Sequence, residues 1–219
     1  TTNGGVDGSP LTDTIAAPGA NAIAIDPINS NTVSVLIGLR MFKSSDAGAS
    51  WLQLNYNTTV SSTLETEIII NPQNTMEIFC SDGYSIHKSN DGGVTWNIIQ
   101  TGSYCSDFAL NPLNGQTIYI LRLQSLHKSI DGGITFDTTS LSSLGWYGGY
   151  SIGITPADTN YIYLYSGPGH SVNGMVALST DGGASFVLQP TSNQLPTFSN
   201  YLKHIIVSPT DKNSIIFGG

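Results

Sequence analysis

Short apolar runs alternate with clusters of Gly, Pro, Asn and Asp along the whole chain, and no stretch keeps a helical period beyond a turn or two. Five of these runs resemble one another and end near a proline: AIAIDP (22–27), EIIINP (67–72), FALNP (108–112), SIGITP (151–156) and HIIVSP (204–209). A second β-rich run follows each of them: TVSVLIG, MEIFCS, TIYILRL, YIYLYSG and SIIFGG. In the first four cases a third and a fourth short run come next, as in SIHKS and TWNIIQ. The runs are rich in Ile, Val, Tyr and Phe and are bounded by turn residues, so each reads as a strand. Proline ends the first strand of each set because it cannot donate to a ladder. The pattern predicts an all-β chain built from repeated units of four strands, A to D.

Between strands C and D the same eight residues recur. SSDAGASW, SNDGGVTW, SIDGGITF and STDGGASF open at residues 44, 89, 129 and 179. All four obey Ser-x-Asp-x-Gly-x-Ser/Thr-aromatic, a coincidence of positions beyond chance. A tight turn needs positive φ, which Gly supplies at little steric cost. Asp accepts hydrogen bonds from backbone N–H groups that the turn leaves unpaired. The closing Trp or Phe is placed to bury its ring against a neighbouring unit. Four short strands every 40–50 residues are the signature of a β-propeller.

On these residues the chain resembles the Asp-box (BNR) repeat propellers, which occur in sialidases, sortilin-type receptors, xyloglucan-degrading glycoside hydrolases and a photosystem II assembly factor. The resemblance covers residues 22–219 at the level of the repeat. It implies blades at about 22–54, 67–100, 107–138 and 151–188 and a partial blade at 203–219. It also implies a structural role for Asp46, Asp91, Asp131 and Asp181 at the blade periphery. TTNGG at 1–5 resembles the tail of a degraded box, with Asn3 in the place of Asp, so residues 1–15 could complete the partial blade. Residues 1–219 are therefore expected to form a single propeller domain or a fragment of one. Part of a larger propeller is the preferred reading, with further blades or a second chain completing the ring. A closed five-bladed ring is the alternative.

Composition narrows the function. Charged residues are 10% of the chain, and 7 Lys+Arg stand against 15 Asp+Glu for a net charge of −8. So few, dispersed cations exclude a nucleic-acid interface and a polybasic membrane patch. No apolar run reaches the roughly 20 residues of a membrane-spanning helix. A neutral, hydroxyl-rich surface points to an extracellular or cell-surface protein, and Asn57-Thr58-Thr59 is the one N-glycosylation sequon, informative only in a glycosylating source. The chain does not begin with Met or with a signal peptide, as expected of a processed or trimmed protein. Cys80 ends a B strand and Cys105 precedes the next A strand on the same predicted face, so a disulfide between them is expected to staple two blades. Neither CxxC spacing nor an EF-hand loop is present, and no metal or cofactor is expected.

Candidate chemistry gathers on the face formed by the B–C and D–A connections. Ligand-binding candidates there are Tyr56, Tyr84, Tyr104, Trp146, Tyr147, Tyr150, His170 and Tyr201, residues suited to a sugar ring or an extended peptide. The carboxylates available for a glycosidase pair are Asp82, Asp107 and Glu65. Asp82 is similar in placement to an acid of the xyloglucan-degrading enzymes, although an Asp-Gly pair also suits a turn. Arg40 and Arg122 are the only arginines, too few for the sialidase triad. The expectation is a secreted binding or assembly module for a glycan or protein partner. An extracellular glycoside hydrolase is the first alternative and a structural subunit of an extracellular lattice or filament the second.

Overall fold

The computed structural model describes residues 20–56, 66–145, 150–166, 174–190 and 204–218. Each apolar run folds as a strand, and consecutive strands pair as antiparallel neighbours because only tight turns join them. Blade 1 holds β1 (Ala22–Ile25), β2 (Val33–Ile37), β3 (Arg40–Ser44) and β4 (Leu52–Gln53). Blade 2 holds β5 (Glu67–Ile70), β6 (Ile78–Ser81), β7 (Ile86–Ser89) and β8 (Asn97–Gln100). Blade 3 holds β9 (Cys105–Asn111), β10 (Asn114–Arg122), β11 (Ser125–Ser129) and β12 (Asp137–Ser140). Blade 4 holds β13 (Tyr150–Ile154), β14 (Ile162–Ser166), β15 (Met175–Ser179) and β16 (Val187–Leu188). A half-blade of β17 (His204–Val207) and β18 (Ile215–Gly218) follows. The molecule is an all-β, partial β-propeller.

The A strands β1, β5, β9, β13 and β17 lie innermost and touch their neighbours in chain order. Side chains alternate between the two faces of each blade, so each sheet contributes to two cores. Leu36, Met41, Tyr56, Ile68, Ile70 and Cys80 fill the core between blades 1 and 2. Phe79, Cys105, Phe108, Ile118 and Ile120 fill the next. Tyr119, Leu126, Ile152 and Leu164 fill the third, and Tyr163, Tyr165, Ile205 and Val207 the last. Trp96, Phe136 and Phe186, the aromatics that close three of the boxes, each pack into the core shared with the preceding blade.

The repeated boxes build one hydrogen-bonded knot four times. In the second copy, Ser89 Oγ donates to Asp91 Oδ1 at 2.8 Å and accepts from the Gly93 amide at 2.8 Å. The Thr95 amide and hydroxyl then donate to the two oxygens of Asp91 at 2.9 and 2.6 Å. Asp46, Asp131 and Asp181 hold their own turns in the same way. These donors favour the ionised carboxylate. They pull Asp46, Asp91 and Asp181 down to about 2 and Asp131 lower still.

The expected bridge between Cys80 and Cys105 is not formed; both are buried free thiols. The reason is strand alternation. Cys80 points into the core shared with blade 1, whereas Cys105 packs in the core shared with blade 3, so the second sheet stands between them. Burial pushes both thiols up to about 12.

Candidate functional site at the loop face

The residue five positions before the proline of each A-strand run lies toward the end of the propeller where the D–A and B–C connections lie. These residues are Ala22, Glu67, Asp107, Ser151 and His204. The last four sit at one end of the inner strands, which line an open axial groove of about 520 Å³ with Ile25, Ile69, Ile154 and Ile206 on its walls.

Glu67 and Asp107 meet there across two blades. Their carboxyl groups are hydrogen-bonded to each other. Asp107 Oδ2 accepts from the Ile152 amide at 2.8 Å and Oδ1 from the Phe108 amide at 2.9 Å. Burial raises both groups above the ordinary carboxylate range, Glu67 well above it, and the neighbouring Asp107 charge adds to the Glu67 shift. The amide donors on Asp107 favour its charged form, and burial beside that group favours the protonated form of Glu67. A directly hydrogen-bonded pair leaves no room for a glycosidic oxygen, which needs carboxyl groups roughly 5 Å or more apart.

Outside this pair lies an aromatic shelf. Tyr84, on the β6–β7 turn, is exposed and meets Tyr104, on the β8–β9 connection, edge to face at 6.4 Å. Beneath them the buried Arg122 guanidinium donates to the Tyr84 carbonyl at 3.2 Å, the Ser103 carbonyl and Gln100 Oε1 at 3.3 Å. It thus ties the β6–β7 turn of blade 2 to the β8–β9 connection from the end of β10.

The remaining candidates fall elsewhere. Asp82 is buried with both oxygens engaged: Oδ1 accepts from the Tyr84 and Ser85 amides at 3.0 and 2.7 Å, and Oδ2 lies 3.0 Å from His87 Nε2. It holds the turn that presents Tyr84. Tyr56 does not reach the loop face. It is buried between Trp96 and the His87 ring, its hydroxyl beside the Cys80 thiol without a well-formed hydrogen bond. The apolar core that blades 1 and 2 share claims it, a correction to its expected binding role. Glu65, Trp146, Tyr147, His170 and Tyr201 lie outside the described residues, as do the side chain of Tyr150, the Asn57 sequon and residues 1–15. Glu67 is not among the candidates the sequence offers, although its register carries the signal: it stands five residues before the proline of its repeat, as Asp107 does one repeat later. Among the described residues no cluster of His, Cys, Asp and Glu is arranged to hold a metal ion, and no helix is long and apolar enough to cross a membrane.

No protein-family model matches the chain, and no curated protein matches it by sequence. Solved structures do match. An ancestral GH74 enzyme aligns with a TM-score of 0.67 and 19% identity over 89% of this chain and 27% of its own. The GH74 xyloglucanase from Xanthomonas campestris aligns with a TM-score of 0.51 and 11% identity, over 91% of this chain and 43% of its own. YCF48 bound to D1 peptide aligns with a TM-score of 0.56 and 13% identity, over 86% of this chain and 57% of its own. The likeness establishes the propeller fold, and this chain spans only part of each of these proteins.

Proposed function

We propose that the chain is an Asp-box propeller domain, or part of a larger one, acting as an extracellular binding or assembly module. The single observation that carries this reading is the Tyr84–Tyr104 pair on the loop face, Tyr84 exposed and Tyr104 half-buried, backed by the buried Arg122. Aromatic faces next to hydrogen-bonding groups suit a sugar ring or an extended peptide. The likeness to a structure of YCF48 bound to D1 peptide supports a peptide or protein partner. The test is to screen the protein against glycan and peptide arrays and to measure any hit by calorimetry. Tyr84→Ala and Tyr104→Ala should each weaken binding at least about tenfold. Binding untouched by both would sink the reading.

A glycoside hydrolase of the xyloglucan-degrading type is the second reading, favoured by the likeness to the ancestral GH74 enzyme. The contact between Glu67 and Asp107 and the engaged oxygens of Asp82 weigh against it. Incubation with xyloglucan should release no reducing ends above background. Release that Asp107→Asn abolishes would reverse the order of the two readings.

A further inference from the structure

Every internal blade interface repeats one arrangement along the inner strands. Counted from the residue five before its proline, the second and fourth residues of an A strand pack on the preceding blade: Ile68 and Ile70, Phe108 and Leu110, and Ile205 and Val207 are all at most 8% exposed. The third residue packs on the following blade, as Ile69 and Ala109 do. In blades 3 and 4 the first of these residues reaches across to the second amide of the next A strand: Asp107 accepts from the Ile152 amide at 2.8 Å and Ser151 Oγ from the Ile205 amide at 3.2 Å.

The two ends of the arc carry the two halves of this interface, unpaired. At the head, Ile23 and Ile25 hold the second and fourth positions of β1 and are 65% and 58% exposed. The ladder bond between Asp26 and Thr32 sets the phase of β1, and by that phase the Ile23 and Ile25 amides turn off the sheet edge. At the tail, Ile206 holds the third position of β17 and pairs with Ile216 of β18; they are 64% and 67% exposed. The residues that correspond to Ile216 in blades 2, 3 and 4 are Phe79, Tyr119 and Tyr163, all at most 5% exposed. His204, exposed, stands at the position of Glu67, Asp107 and Ser151. The extents match too. The tail presents two strands. On the corresponding face of blade 1 the inner strand is bare, while Val35 and Ile37 of β2 are already buried. Within one chain the two faces do not meet, since all four isoleucines stay more than half exposed.

We infer that the tail face (His204, Ile206 and Ile216) docks the head face (Ile23 and Ile25) of a second copy of this chain. In that contact the His204 ring accepts from the Ile23 amide, continuing the series of Asp107 and Ser151. Such a head-to-tail contact closes a ring if the rotation returns to its start and otherwise extends as a filament. The inference deepens the assembly reading and uses none of the Tyr84–Tyr104 shelf, so either can fail while the other stands.

Sedimentation velocity of the purified chain from about 1 to 100 µM, the weak end of specific association, tests it. The wild type should shift from monomer to larger species with concentration. Ile23→Glu at the head and Ile206→Glu at the tail should each weaken that association at least about tenfold. All these positions are exposed, so the variants keep the fold. Mixing the two variants leaves one intact head and one intact tail, and should give a one-to-one dimer and nothing larger. A wild type that stays monomeric throughout overturns the inference. So does association that survives both substitutions, that responds to only one of them, or that the mixture fails to restore.

Discussion

Two sets of carboxylates pull stability in opposite directions with pH. The four box aspartates have folded pKa values below their unfolded ones. Their contribution is present above about pH 4 and is lost as pH falls toward 2. The Glu67–Asp107 pair is raised, so the folded protein holds its proton after the unfolded chain has released it. That contribution is present at low pH and is lost as pH rises from about 4 through the raised value, with a slope of at most about 1.4 kcal/mol per pH unit for one proton. Urea denaturation between pH 4.5 and 9 should show stability falling with pH in the wild type. In Glu67→Gln, which donates without a titrating proton, the slope should largely disappear and the protein should be more stable above neutrality. Asp131→Ala, which unties a whole knot, should lower Tm by several degrees. The thiols make a third residue-scale prediction. With both Cys80 and Cys105 buried and pushed up to about 12, an aromatic disulfide reagent should label neither until the protein is unfolded, and reductant should leave Tm unchanged.

Strand C carries a stitch that runs between blades. Lys43, Lys88 and Lys128 each extend to the following blade and donate to the carbonyl of the first box glycine there, Gly92, Gly132 and Gly182, at 3.0, 3.2 and 2.8 Å. A Cβ at Gly92, Gly132 or Gly182 would stand 3.1–3.4 Å from the arriving ammonium. The corresponding residue of the first box, which no described lysine reaches, is Ala47, held at φ 57°. In blade 4 the lysine position is Leu178, which packs toward the half-blade; Lys212 instead reaches back from that half-blade to Asp158 at 2.9 Å. Lys88→Met removes a buried charged hydrogen bond and should cost about 2 kcal/mol in denaturant melts. Ala47→Gly relieves a left-handed alanine without emptying any contact with a lysine, and should stabilise by about 0.5–1 kcal/mol.

At the scale of the molecule, the described residues form an arc of four blades and a half whose two end faces leave Ile23, Ile25, Ile206 and Ile216 more than half exposed. The blade count, the strand order and the box turns were legible in the chain. They rest on local rules: apolar periodicity, proline as a strand stop, and Asp with Gly where a turn needs acceptors and positive φ. These act within some 50 residues and repeat, so four copies reinforce one another. What lies across a blade boundary was not legible in that way. Cys80 and Cys105 share a predicted face, yet the pleat sends them to opposite sides of one sheet. Tyr56 reads as a loop aromatic and is core, because the blade beside it offers Trp96 and His87 for it to pack on. Glu67 finds Asp107 only because inner strands converge on an axis, which brings together residues some 40 positions apart. The repeat thus follows from short-range chemistry that each segment carries alone. The site and the pairing of faces follow from convergence, which no segment carries until its neighbours are in place.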